Sequence, residues 1–397
     1  MAARTILYTG KGGVGKTSVA AASARRIAAD GARVIVLSTD PAHSLADVLE
    51  TEVRSTPTQV ADRLWAQQVQ AQEELEDNWT GVQQWLGGVL AERGMDRIAA
   101  EELSVPPGGD ELFSLLQLKR HYESGEWDVV VVDCAPTGET LRLLSFPDVA
   151  RWWLDKVLGR ETQLLAAARP LARAFLDVGL PDERVFVEVQ ALIRNLVAMD
   201  EILHAPECTL RLVTTPDRMV VKEAMRTFTY LNLFGYLTDA VVVNRVFPDA
   251  VDGTYFGAWR ALQQEQLELV RDGFGPVPVL CAPYFDREVA GPDMLDRLGD
   301  AVFADTDPAA VLHDTVSQQL RQDGDRAELR LELPFASKGD ISLKKIGLEL
   351  VVRVGDAKRM IELPSALVAY RPLSASFADG ALVVAFEPAA EAVTSGA

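Results

Sequence analysis

The run Gly10-Lys11-Gly12-Gly13-Val14-Gly15-Lys16-Thr17 lies directly after the apolar segment Arg4 to Thr9 and opens a helix-patterned stretch from Thr17 to Asp30. A glycine loop trapped between a strand and a helix suits few folds, and this one satisfies G-x-x-x-x-G-K-[ST] in the context that gives the motif meaning. Glycines let successive backbone N–H groups turn around phosphate oxygens, and the helix N-terminus adds partial positive charge. Lys16 is placed to reach the β and γ phosphates, and the Thr17 hydroxyl to ligate Mg²⁺, with Ser18 following on the same turn. The expected ligands are therefore ATP and Mg²⁺. A plain glycine-rich turn is the bland alternative.

Short, nearly continuous apolar runs recur at 33 to 38, 127 to 133, 208 to 214, 239 to 245 and 277 to 281, the pattern of strands covered on both faces. Helical stretches such as Thr17 to Asp30 and Arg218 to Phe234 alternate with them, which predicts a doubly wound, mostly parallel α/β sheet. Two helix-rich insertions, about 71 to 124 and 147 to 206, predict a helical subdomain. A polar, acidic stretch around Gln318 to Arg326 precedes period-two runs at Leu329 to Leu333, Gly347 to Val354, Lys358 to Leu363 and Ala381 to Phe386. The expected organisation is an ATPase domain over 1 to 318 and a small β-sandwich over 327 to 390.

Composition narrows the function classes. Asp and Glu outnumber Lys and Arg by 58 to 39, and a net charge of −19 repels nucleic-acid phosphates, so no nucleic-acid partner is expected. No leader-like segment and no apolar run long enough to span a bilayer is evident, which points to a cytoplasmic protein without stable membrane insertion. Cys134, Cys208 and Cys281 form no C-x-x-C pair, and their expected role is packing at strand ends.

Lys11 is a second lysine that an ordinary phosphate loop does not require. The string Gly-Lys-Gly-Gly-Val-Gly-Lys-Thr resembles the deviant Walker A ATPases, and the resemblance implies that Lys11 crosses a homodimer interface to the partner's nucleotide, in the manner of an arginine finger. A solvated loop cation is the alternative. Ser38-Thr39-Asp40-Pro41-Ala42-His43-Ser44 resembles switch I of the arsenical pump and tail-anchored-protein targeting ATPases. It implies that Asp40 orients the attacking water and contributes to the metal site, although Asp-Pro also begins helices well. Val129 to Asp133, continued by Cys134-Ala135-Pro136-Thr137-Gly138, is similar to the same family's Walker B and switch II. Asp133 then belongs to the metal site, and Gly138 brings an N–H to the γ-phosphate. Glu139 stands where relatives often carry His.

Asn244, ending the run Val241-Val242-Val243-Asn244-Arg245, is an adenine-reading candidate or a turn cap. Pro283 and Tyr284 sit where relatives close over the base. Pro107-Gly108-Gly109-Asp110-Glu111 resembles a family loop near the switches, or caps a helix.

The resemblance spans roughly residues 4 to 318. In targeting relatives the region around 151 to 200, rich here in Trp, Leu and Phe, builds a groove for a hydrophobic helix; ordinary core packing is the alternative. Eukaryotic targeting relatives join subunits through zinc on a C-x-x-C pair, which this sequence lacks, so a dimer would rest on nucleotide and packing contacts. The C-terminal runs resemble an α-crystallin-like, small heat-shock domain. Together these features imply an ATPase coupled to binding or targeting of hydrophobic protein clients. A subunit driving arsenite or metalloid efflux and a partition-type positioning ATPase are the competing readings.

Overall fold

The structure, a computed structural model, describes residues 3–40, 44–70, 84, 109–135, 183–251, 253–324, 326–346, 348–367 and 370–388. The chain divides into two units, one of Met1–Thr9, Gly15–Cys208 and Arg287–Ala309, the other of Gly10–Val14, Thr209–Asp286 and Ala310–Ala397.

The first unit is built on strands β1 (Arg4–Thr9), β2 (Val34–Ser38), β3 (Thr58–Ala61), β4 (Leu64–Gln68) and β5 (Val129–Asp133), in the spatial order β3-β4-β2-β5-β1. β4, β2, β5 and β1 run parallel, and only β3 is antiparallel to its neighbour. Every residue of β2 and β5 is buried, which is why these strands read as continuous apolar runs. Helix α1 (Lys16–Ala29) presents an alanine-rich stripe to its surroundings, with Ala20, Ala21, Ala22 and Ala24 essentially inaccessible to solvent. Small side chains allow close approach: a Cβ on Gly299 of the later helix α7 (Gly291–Phe303) would come 3.2 Å from the Ala22 carbonyl oxygen. Helices α2 (Ser44–Leu49), α3 (Gly109–Ser124) and α4 (Glu183–Leu203) complete the described part. Most of the two predicted insertions lies outside the described residues; α3 and α4 are helical as expected.

In the second unit β6 (Cys208–Thr214), β7 (Thr238–Val246) and β8 (Val279–Pro283) are parallel neighbours. They are connected through α5 (Arg218–Phe234) and α6 (Thr254–Phe274). The remaining strands form two antiparallel sheets. One has the order β14-β15-β10-β9, from β9 (Gln318–Asp323), β10 (Arg326–Glu332), β14 (Tyr370–Ala378) and β15 (Ala381–Pro388); the other is β11 (Ile341–Ile346), β12 (Glu349–Val354) and β13 (Ala357–Glu362). Leu329 and Leu331 of β10, Phe386 of β15, Val352 of β12 and Ile361 of β13 share one core, so the two sheets make a β-sandwich. Leu233 of α5 belongs to that same core, and Arg359 reaches back to its carbonyl.

Residues 318–323, expected as part of a polar connector, are instead the edge strand β9, paired with β10 from Asp323↔Arg326 to Gln318↔Leu331. Its polar sequence is physically reasonable for an edge: it exposes both faces, and charge there discourages pairing with other chains.

Candidate functional site

In the first unit, the carboxyl ends of β2 and β5 meet the start of α1. Gly15 caps α1 with φ 90°, in the left-handed region that glycine tolerates, and so lets Lys16 and Thr17 begin the helix directly; Ser18 follows on it. Lys16 and Thr17 are 5% and 9% exposed. The parallel register sets Ser38 beside Asp133, and the Thr39 N–H donates to the Asp133 carbonyl at 3.0 Å. Ser38 Oγ donates to Asp133 Oδ2 at 3.4 Å and accepts from the Asp40 N–H at 3.4 Å, so one hydroxyl ties the Asp40 backbone to the Asp133 carboxylate. Thr39 Oγ1 accepts from the Ala135 N–H, fixing the exit from β5.

Asp133 is wholly buried, and among the described residues its Oδ1 has no hydrogen-bond partner. Burial pushes its carboxyl up to about 6, against the pull of the Thr17 hydroxyl and the Lys16 ammonium; the negative charge of Asp40 pushes it further up. A buried carboxylate oxygen left without a donor, next to a second carboxylate and a threonine hydroxyl, is short of positive charge. Mg²⁺, a hard cation that takes oxygen ligands and keeps several waters, meets that deficit, so Thr17, Asp40 and Asp133 fit the metal expected from the sequence.

In the second unit, loop 10–14 is fastened at both ends. A Cβ on Gly10 would lie 2.1 Å from the Val213 carbonyl oxygen, which excludes every other residue there. At the far end Asn244 Nδ2 donates to the Val14 carbonyl at 2.8 Å, while its Oδ1 accepts from the Arg245 N–H at 2.9 Å. Asn244, expected to read adenine, is thus 8% exposed and engaged in holding the phosphate loop. One amide N–H and one lone pair are left from its inventory for any other partner. Gly12 and Gly13 are exposed, and Val14 is buried. Lys11, 42% exposed at its side chain, pairs with Glu223 of α5 at 3.0 Å. Pro283 ends β8; the Tyr284 N–H donates to the Val246 carbonyl, and its ring, 52% exposed, lies 5.6 Å from that of Phe247.

Gly138, Glu139, Pro41 to His43 and Pro107 to Gly108 lie outside the described residues. Two contributors carry no signal of their own in the sequence: Ser38 is only the first letter of a switch-like string, and Glu223 is an unremarkable acidic residue inside a helix, linked to Lys11 only in space.

Residues 3–304 match the model of the anion-transporting ATPase family, and residues 324–386 match that of an HSP20-like domain found in ArsA proteins. A Chlorobaculum tepidum protein provisionally named an arsenical pump-driving ATPase is 37% identical over 97% of this chain and 96% of its own length. A similarly named Aquifex aeolicus protein is 36% identical over 92% and 95%. ATPase GET3B of Arabidopsis thaliana is 30% identical over 74% of this chain and 77% of its own.

Proposed function

This chain belongs to the anion-transporting ATPase family and is an ATPase with an HSP20-like C-terminal domain, and we propose that it hydrolyses ATP with Mg²⁺ as a nucleotide-gated homodimer that holds hydrophobic, membrane-destined protein clients. The observation that carries the catalytic part is the buried Asp133 carboxyl, whose Oδ1 has no hydrogen-bond partner among the described residues, set among Lys16, Thr17 and Asp40.

In this reading the N–H groups of residues 10 to 17 hold the phosphates, with Lys16 spreading charge from the transferred group. Thr17, Asp40 and Asp133 hold the metal and its water shell. When bound, Mg²⁺ neutralises charge on the β and γ phosphates. Asp40 orients the attacking water, and Gly138 donates an N–H to the γ-phosphate. Pro283, Tyr284 and the remaining capacity of Asn244 border the base. Lys11 leaves Glu223 to reach the nucleotide of the second subunit, where it offsets negative charge developing in the transition state.

The client half of the proposal rests on the wide apolar spacing in the region 151 to 200 and on the appended β-sandwich, whose edge strands can accept an extended segment. Capture of a tail-anchored test helix by the Asp40→Asn protein with ATP and Mg²⁺, compared with ADP, tests it. Capture only with ATP supports the client reading; a closed ATP-bound dimer that ignores the helix refutes it. The names of two relatives favour a second reading, metalloid-efflux drive. Against it, Cys134 and Cys208 are buried, and burial raises the Cys134 thiol, so the thiolate a soft metalloid would seek is disfavoured. Stimulation of turnover by arsenite or antimonite would reinstate that reading.

A further inference from the structure

Within the second unit a cavity of about 390 Å³ lies between α5, the turn ahead of β8, the segment entering β9, and the ends of β10 and β14. Hydrogen bonds hold its walls in place. Ser317 Oγ donates to the Asn232 carbonyl at 2.9 Å, the Glu332 N–H to the Ser317 carbonyl at 2.8 Å, and the Leu333 N–H to the Gly380 carbonyl at 2.7 Å. Phe228, Pro276, Val277 and Val316 give the lining an apolar part. Its polar part is not satisfied from within. Asn232 follows Phe228 by one helical turn, so both side chains come from one face of α5; it is 7% exposed, and its side-chain amide makes no hydrogen bond among the described residues. Thr238, 3% exposed, belongs to the same wall, and its Oγ1 has no partner among the described residues. Polar groups withdrawn from water and left without partners are costly, which marks this wall as one that receives polar atoms from outside the chain.

We propose that this cavity binds a small organic cation, an ammonium or guanidinium group carried on a short apolar stem. Charge selects the sign of the ligand. The lining carries two carboxylates, Glu332 and Asp379, and among the described residues no lysine or arginine. Arg330 engages one oxygen of Glu332 at 2.7 Å, and exposed Asp379 has no ion pair among the described residues. A phosphate or carboxylate ligand would meet these negative charges with nothing to offset them. Hydrogen bonding selects against a purely apolar ligand, which would cover the Asn232 amide without pairing it. An ammonium or guanidinium supplies donors for the carboxylates and for the amide oxygen, and its stem has Phe228, Pro276 and Val277 to lie against. The volume falls within the range of small-molecule sites. Because α5 stands on one side and the β-sandwich on the other, a bound cation would bridge them and stabilise their docking by mass action.

The test titrates the full-length protein calorimetrically with agmatine and benzamidine, and with benzamide, the uncharged isostere of benzamidine. At least one of the two cations should bind saturably and raise the thermal midpoint, and benzamide should bind at least about tenfold more weakly than benzamidine if that is the cation bound. Asp379→Asn should raise the dissociation constant of the bound cation at least about tenfold, as for loss of a charge-assisted hydrogen bond, and Asn232→Leu should do the same. Asp379 lies in an exposed turn with φ 51°, a conformation asparagine tolerates, so its variant keeps the test sound even if Asn232→Leu fails to fold. Asp296→Asn removes an exposed carboxylate of the first unit and should leave the binding unchanged. Absence of saturable binding by both cations overturns the site, as does equal weakening by Asp379→Asn and Asp296→Asn, which would mean attraction to the overall negative charge. Benzamide binding as tightly as the cations overturns the ligand class. Tighter binding of acetyl-Gly-Arg-Gly-amide, displacing the small cation, overturns the small-molecule assignment in favour of a protein side chain.

Discussion

Asp133 is a fully buried carboxylate whose Oδ1 has no hydrogen-bond partner among the described residues and which has the charge of Asp40 nearby. The roles argued for its neighbours give distinct kinetic signatures. Lys16→Ala should abolish measurable ATP turnover, while Asp40→Asn should still bind ATP but turn over roughly 10²-fold to 10⁴-fold more slowly, the usual range for losing a proton-handling or water-orienting group. Single-turnover assays with separately measured nucleotide binding distinguish the two. These candidates were legible in the sequence because phosphate and metal chemistry calls for such residues in short contiguous strings at strand ends. Asn244 was legible as a candidate from its place at a strand end, but its bond to Val14 was not, since 230 positions separate the partners. His121 illustrates a residue no motif marks. Its Nδ1 accepts from Trp127 Nε1, its Nε2 pairs with Gln67, and burial first, then the nearby Arg120 charge, lowers its pKa to about 4. A folded pKa below the unfolded value near 6.5 means the unfolded chain binds the extra proton first. Its contribution is therefore present above about pH 6.5 and declines as pH falls toward 4, by on the order of 2 kcal/mol at pH 5. Urea titrations at pH 7 and 5 should show this loss, and His121→Gln should flatten it.

Between elements, Arg211 of β6 pairs with Asp239 of β7, both fully buried and 3.1 Å apart. Arg211 also donates to the Ala310 carbonyl, and Asp239 accepts from the Leu312 N–H, so the pair pins the segment leading to the β-sandwich. Asp239→Ala would strand a buried guanidinium and should cost about 3–5 kcal/mol, whereas Asp296→Ala, at the half-exposed pair with Arg25, should cost at most about 1 kcal/mol. Urea unfolding midpoints compare them. The same contrast between buried and exposed positions explains which elements could be read from sequence. β1, β6 and α5 fall on their predicted spans because burial imposes apolar content. β9 and β14 escaped because they are edge strands. β9 carries Gln, Arg and Asp, and β14 is exposed along most of its length with Pro372 at an irregularity, where a missing N–H is tolerated. β3 is short and β11 carries the adjacent Lys344 and Lys345, too weak a pattern to distinguish from turns.

At the scale of the whole molecule, the β-sandwich is joined to the α5 helix of its own unit by a shared core. Leu233 of α5 is completely buried among its strand residues, and Thr229 and Arg359 add hydrogen bonds to Pro334 and Leu233. Leu233→Ala should cost about 2–5 kcal/mol through the cavity it leaves, seen as a lower unfolding midpoint without loss of nucleotide binding in the folded protein. That docking was not visible in the period-two runs, which report a sandwich but not what lies against it. The account as a whole turns on Lys11 acting on the partner's nucleotide, and mixing two inactive variants tests this most directly. Lys11→Ala keeps a complete phosphate loop but has no lysine to offer, and Lys16→Ala can offer Lys11 without hydrolysing at its own loop. The account predicts that each alone is inactive and that their mixture hydrolyses ATP, with activity proportional to the mixed dimer formed. A mixture no more active than its components, or a Lys11→Ala protein as active as wild type, would contradict it.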